Sequence, residues 1–227
     1  QARPALARKP RSMPQMRQAR ALAPAHLRVN AACKACRAGP AWATKGPVKR
    51  TDNMPSQKIT FQGHDGDRLA ARLDLPEGPV LGHALFAHCF TCGKDIAAAH
   101  RIAQSLSIMG IAVLRFDFTG LGSSGGEFAN TTFTTNVEDL RLAARWMHDQ
   151  DMPPDLLIGH SLGGAAILKA ARDIPSAKAV ATLAAPHDPA HVTNNFSSSL
   201  KEIKETGQAS VKLCTRSIPI TEAFLDD

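Results

Sequence analysis

Asp155-Leu156-Leu157-Ile158-Gly159-His160-Ser161-Leu162-Gly163-Gly164 joins two different sequence patterns at a single serine. Leu156, Leu157 and Ile158 form an apolar run without helical period, which predicts a buried strand. Gly164 to Arg172 is rich in Ala and Leu and predicts a helix. Between them, Gly159-His160-Ser161-Leu162-Gly163 fits G-x-S-x-G, whose glycines let the chain reverse from strand to helix within about one residue. Larger side chains at 159 and 163 would collide in that turn. The turn lifts Ser161 Oγ above the sheet with a helix N-terminus beneath it, so Ser161 is the expected nucleophile. The Leu162 N–H then points where an oxyanion would form. The bland alternative is a Gly/Ser turn without chemistry; the strand and helix flanking the motif favour the chemical reading.

Working outward, Lys58–Gln62 and Arg68–Leu75 are two near-alternating runs separated by Gly63-His64-Asp65-Gly66-Asp67, which predicts a hairpin. His83–Ala87 is the next strand, and it runs into His88-Cys89-Phe90-Thr91-Cys92-Gly93-Lys94-Asp95. A helix follows over Ile96–Met109, stopped by Gly110. Ile111–Phe116 is β-rich and leads into a glycine-dense loop over 117–126. A second helix spans Thr135–Asp149 with Val137, Leu140, Ala144 and Met147 on its apolar stripe, and Lys178–Leu183 is the strand after the elbow. Strands alternating with helices of these lengths imply an α/β fold with a mostly parallel sheet and helices on both faces. Beyond Val192 the pattern loosens, with a helix start at 197–205 and small strands near 211–213 and 218–220.

The chain has 227 residues and a formal charge of +7, which would suggest nucleic acid or an anionic membrane as partner. The distribution argues against both. Residues 1–51 carry twelve Lys/Arg and no acid, whereas 52–227 carry fifteen Lys/Arg against all twenty acids. The Ala/Arg/Pro-rich extension 1–53 has no sustained apolar period and is expected not to fold. It reads as a transit peptide poor in Ser, as a nucleic-acid arm with only Trp42 among its charges, or as non-native sequence. The last suits a domain over 54–227 that opens at Met54, just before the first strand. No apolar run approaches the roughly 20 residues of a membrane span, and no secretory h-region is present, so a cytoplasmic protein is expected.

Five cysteines without an export signal argue against a disulfide framework. Two C-x-x-C pairs, Cys33/Cys36 and Cys89/Cys92, offer zinc-ligand chemistry, but their context does not suit it. Cys89 and Cys92 read as small half-buried loop residues, with a redox pair as the lesser alternative. No metal and no organic cofactor is expected.

The elbow at 159–163, the His88–Cys92 turn and Asp117-x-x-Gly120-x-Gly122-x-Ser124 together resemble an α/β-hydrolase over about 57–227. More narrowly, 88–95, 115–123 and Phe128-Ala129-Asn130 are similar to a bacterial group in which the hydrolase domain is fused to a C-terminal OsmC-like domain. The resemblance implies a small acyl substrate and places a second oxyanion donor at the Phe90 N–H. It departs at Cys89, where many hydrolases carry Gly. Asp117 reads as a loop organiser rather than a catalytic acid, and His88 as a support for its loop.

A serine also needs a base, and in this fold an acid and then a histidine follow the nucleophile. After Ser161 only His187 and His191 remain, flanking Asp188, in an unusual position for the task. His160 is expected to face away from the reaction. Two expectations follow. The chain is the front portion of a serine hydrolase whose last strands, acid and histidine lie beyond Asp227, with 193–220 in the position of a lid. Alternatively it is a non-catalytic binding scaffold of the same fold.

Overall fold

The computed structural model describes residues 55–213 and 216–227. The basic extension and Cys33/Cys36 lie outside them. The hairpin is β1 (Ser56–Gln62) and β2 (Arg68–Asp74), paired antiparallel. Then come β3 (Gly82–Ala87), α1 (Ala97–Ile108), β4 (Ile111–Phe116), α2 (Phe133–Asp149), β5 (Leu156–His160), α3 (Leu162–Ala170) and β6 (Ala179–Leu183). These strands form one sheet in the order β1-β2-β4-β3-β5-β6. β4, β3, β5 and β6 run parallel, and β2 joins β4 antiparallel.

Period-two alternation explains why both faces are covered. Ala84, Phe86, Val113 and Ile158 pack with Ala99 and Ala103 of α1 on one side. Leu85, Ala87, Ala112, Leu114 and Leu157 point to the other side, where Leu140, Ala144 and Met147 of α2 and Ala166 and Ile167 of α3 meet them. Buried strands of this kind read as continuous apolar runs because neither face is wet. α2 begins two residues before its expected start, since Thr132 and Thr135 form a reciprocal capping box ahead of the apolar stripe. β6 differs from its neighbours, because all five of its residues are exposed, including Val180 and Leu183.

The segment after β6 is a 3-10 run over Pro189–Ser199, α4 (Leu200–Thr206), an antiparallel hairpin of β7 (Gln208–Leu213) and β8 (Arg216–Thr221), and α5 (Glu222–Asp226). Its apolar residues join the α2/α3 side of the core through Val192, Phe196, Ile203, Ile220 and Phe224. No helix among the described residues is long and apolar enough to cross a membrane.

Candidate active site

Ser161 sits between β5 and α3 with φ 53° and ψ −124°, a left-handed backbone that a non-glycine residue adopts only under constraint. The constraint is visible. Ser161 N–H donates to the Leu183 carbonyl at 2.8 Å, tying the turn to the end of β6. Its own carbonyl accepts from Gly164 N–H at 2.8 Å, so α3 starts at once. A Cβ on Gly159 would lie 2.5 Å from the Gly163 carbonyl oxygen. One on Gly163 would strike the His88 carbonyl and lie 2.8 Å from that of Ala87. Backbone cannot swing aside as a side chain can, so glycine is required at both positions. Ser161 occupies the cap position of α3, yet its side chain makes no capping bond.

Across from the elbow, the turn Cys89–Cys92 closes with Cys92 N–H on the Cys89 carbonyl at 3.2 Å, and Thr91 takes φ 59°. Here the sequence expectation needs correcting, because Cys89 and Cys92 are joined as a disulfide. The odd cysteine total misled, since the turn itself brings the two Cα atoms to 5.4 Å, within bonding geometry. Among the described residues no cluster of three or more His, Cys, Asp or Glu could hold a metal.

Cys89, Phe90 and Thr91 line one wall of a crevice, and Leu162 and Gly163 line another. The cavity holds about 10 Å³, at the limit for one water molecule. Phe128 and Leu121 separate it from a wider cavity of about 360 Å³ that reaches Ser217, Ile218 and Pro219 of β8. Phe90 stacks among Phe224, Phe128 and Phe196, with ring centroids 5.4, 5.9 and 6.3 Å away. These aromatics come from four separate segments, and nothing local in the sequence announces their meeting.

Beneath the crevice lies a buried polar frame. The Asp117 carboxylate accepts from Lys94 N–H at 2.6 Å, Lys94 Nζ at 2.7 Å and Ser123 N–H at 2.9 Å, so one side chain fixes both the cysteine turn and the glycine loop. Arg115 is 1% exposed, makes a two-pronged contact with Asp74 at 2.6 and 3.2 Å, and donates to the Lys94 carbonyl. His88 is buried, which pushes its pKa below the ordinary value of 6.5 against the pull of its bond to the Cys89 carbonyl. A neutral ring with its proton on Nδ1 suits both partners. Nδ1 then donates to that carbonyl at 2.8 Å, and Nε2 accepts from Phe118 N–H at 3.4 Å.

Among the described residues, no histidine hydrogen-bonds to Ser161. Asp188 uses its carboxylate to cap the 3-10 run at Ala190 N–H, 2.9 Å away, and His191 Nδ1 contacts the Asn194 amide at 3.2 Å. Asp188 and His191 meet only through their backbones, and His187 is exposed. His160 Nδ1 is buried without a hydrogen-bond partner.

Comparison with known proteins bears on the fold and the family. The family described as serine aminopeptidase, S33, matches residues 86–217. The esterase domain of a Rhodothermus marinus protein is 46% identical, with 76% of this chain and 67% of that one covered and a TM-score of 0.56. An α/β serine hydrolase without a lid from Xanthomonas campestris is 28% identical over 59% of this chain and 63% of its own, with a TM-score of 0.52. A monoacylglycerol lipase from Mycolicibacterium smegmatis is 27% identical over 134 residues, which are 58% of this chain and 47% of the lipase. The chain thus spans about half the length of that curated relative. Sheet order, elbow and matched residues lead to one assignment: the chain belongs to the serine aminopeptidase S33 family of α/β-hydrolases.

Proposed function

We propose that the protein is a serine hydrolase that cleaves a small acyl ester through Ser161. The observation that carries this reading is the elbow, where a strained serine leaves its hydroxyl uncommitted at the start of α3. Ser161 Oγ attacks the carbonyl carbon as its proton is released, and the carbonyl oxygen becomes an oxyanion. The C–O bond to the leaving group then breaks as the leaving oxygen takes up a proton and departs as the alcohol. Water then hydrolyses the acyl-enzyme. The N–H groups of Phe90 and Leu162 receive the oxyanion. Both residues line the crevice, and neither N–H donates a backbone hydrogen bond among the described residues. The similarity to an esterase domain and a monoacylglycerol lipase favours an ester over an amide. The 360 Å³ cavity beyond Phe128 is of a size that accepts a short acyl or alkoxy group.

One observation favours a second reading, a binding scaffold without turnover: among the described residues no histidine bonds to Ser161 Oγ. Incubation of the full chain with a fluorophosphonate, beside Ser161→Ala, separates the two. Slow labelling that vanishes in the variant supports the hydrolase. With donors but no paired base, the rate is expected at least about 10³-fold below that of a full triad. A folded chain that never labels at Ser161 is a scaffold.

A further inference from the structure

The Cys89–Cys92 bond is poorly placed to hold the fold together. It links residues only three apart, and the stabilisation from closing a loop grows with the loop's length. It is well placed to hold the crevice. Cys89, Phe90 and Thr91 all line that space, and the proposed oxyanion donor Phe90 N–H lies inside the ring the bond closes.

The turn also needs holding. Thr91 is β-branched and sits at φ 59°, a conformation that persists only where the surroundings impose it. On one flank His88 Nδ1 grips the Cys89 carbonyl, and on the other Asp117 grips Lys94 N–H. Between these anchors, the cross-links among the described residues are the disulfide and the Cys92 N–H bond to the Cys89 carbonyl. Both cysteines are half-buried rather than fully enclosed, and exchange begins with attack of a thiolate on one of their sulfurs.

We propose that Cys89–Cys92 is a thiol-exchange site for a dithiol reductant and that its state switches the crevice. The inference rests on the serine-hydrolase reading above. A thiolate of the dithiol attacks one sulfur of the pair, the S–S bond breaks, and the released cysteine thiolate takes up a proton. The second thiol of the reductant then attacks the mixed disulfide. The reductant leaves as a disulfide, and both cysteines become thiols, two electrons having passed to the protein. With the ring open, Thr91 relaxes toward negative φ and the Phe90 N–H turns away from the oxyanion position. The oxidised protein is the competent form.

The test uses the full chain, oxidised and then treated with dithiothreitol under native conditions. Alkylation and peptide mapping count free thiols at Cys89 and Cys92, circular dichroism verifies the fold, and a fluorophosphonate reports the Ser161 labelling rate. Native reduction should lower that rate about 10²-fold or more, as is typical for losing one oxyanion donor. Reoxidation with glutathione disulfide should restore it. A Cys89→Ser/Cys92→Ser variant should stay at the low rate with or without dithiol. Two results overturn the switch: a bond that yields to dithiothreitol only in urea, or equal labelling of the oxidised and fully reduced chain. Absence of labelling in both states, with the thiol count showing that exchange took place, removes the hydrolase reading and the switch with it.

Discussion

Asp117→Ala isolates the frame under the crevice. The substitution leaves the Lys94 ammonium, whose side chain is 9% exposed, with Asp95 Oδ2 at 3.3 Å as its remaining counter-charge. Removing one partner of a buried ion pair costs about 3–5 kcal/mol. The N–H groups of Lys94 and Ser123 lose their acceptor as well, and each such loss adds about 1–3 kcal/mol where water cannot replace it. Two features pull the sum down. Asp95 is 57% exposed and can follow the lysine outward, and Ser123 is exposed enough to recruit water. The net loss is therefore expected near the lower end, about 3–4 kcal/mol, a large share of a typical domain's 5–15 kcal/mol. Urea unfolding followed by circular dichroism reads it as a lower midpoint at unchanged slope. Adding Lys94→Met removes the stranded charge and should return at least about 1 kcal/mol. A loss below about 1 kcal/mol for the single variant, or a double variant no more stable than the single, would refute the account of Asp117 as the clamp between two loops.

Gly163→Ala forces a methyl group against the His88 and Ala87 carbonyls, and a loss of about 3 kcal/mol in urea unfolding or failure to fold is expected; near-native stability would contradict the close approach. Burial depresses the His88 pKa, so below about 6.5 the unfolded chain takes up a proton that the folded chain resists. Stability should therefore fall as pH drops from 8 through that value toward the depressed folded one, and His88→Gln should flatten the slope of midpoint against pH. The Asp155 carboxyl is held below its usual value of 3.8, chiefly by its bond to Lys178 and then by the His83 N–H. The stability it confers is present above 3.8 and is lost as pH falls through the lower folded value, so Asp155→Asn should shorten the acid limb of the same profile. Phe224→Ala removes one wall of the aromatic cluster around Phe90 and should cost about 3 kcal/mol, measured by thermal or urea unfolding.

Local patterns carried most of the fold. The apolar run at 156–158, the glycines at 159 and 163 and the stripe Val137-Leu140-Ala144-Met147 report on backbone and burial within a few residues, and the strands and helices formed there. Long-range relations were not legible. Arg115 within the run Ile111–Phe116 was a signal of this kind, since a cation in a buried strand requires a partner. Its partner, Asp74, lies 41 positions away and could not be named from the pattern. The partner of Lys94, Asp117, likewise lies 23 positions away. The Cys89–Cys92 bond was legible in its spacing, but a count over the whole chain outweighed a ring that closes over four residues. The elbow with Leu162, the cysteine turn with Phe90, and Phe128 come from three separate segments, so the crevice exists only after the sheet has ordered them.

The exposed strand β6 bears on how the protein behaves in a tube. Among the described residues it pairs with β5 alone, and Val180 and Leu183 face solvent along its length. A strand with one unmatched row of N–H and C=O groups and apolar side chains is a template for another copy of itself. Lys178, just ahead of it, is already engaged with Asp155 and offers limited charge repulsion. Loss of material on concentration should therefore be steep in protein concentration and little affected by salt, the signature of backbone pairing rather than of surface charge. Val180→Lys is the conservative remedy for work on this chain, because it adds a gatekeeping charge without touching Leu183, whose carbonyl holds the elbow.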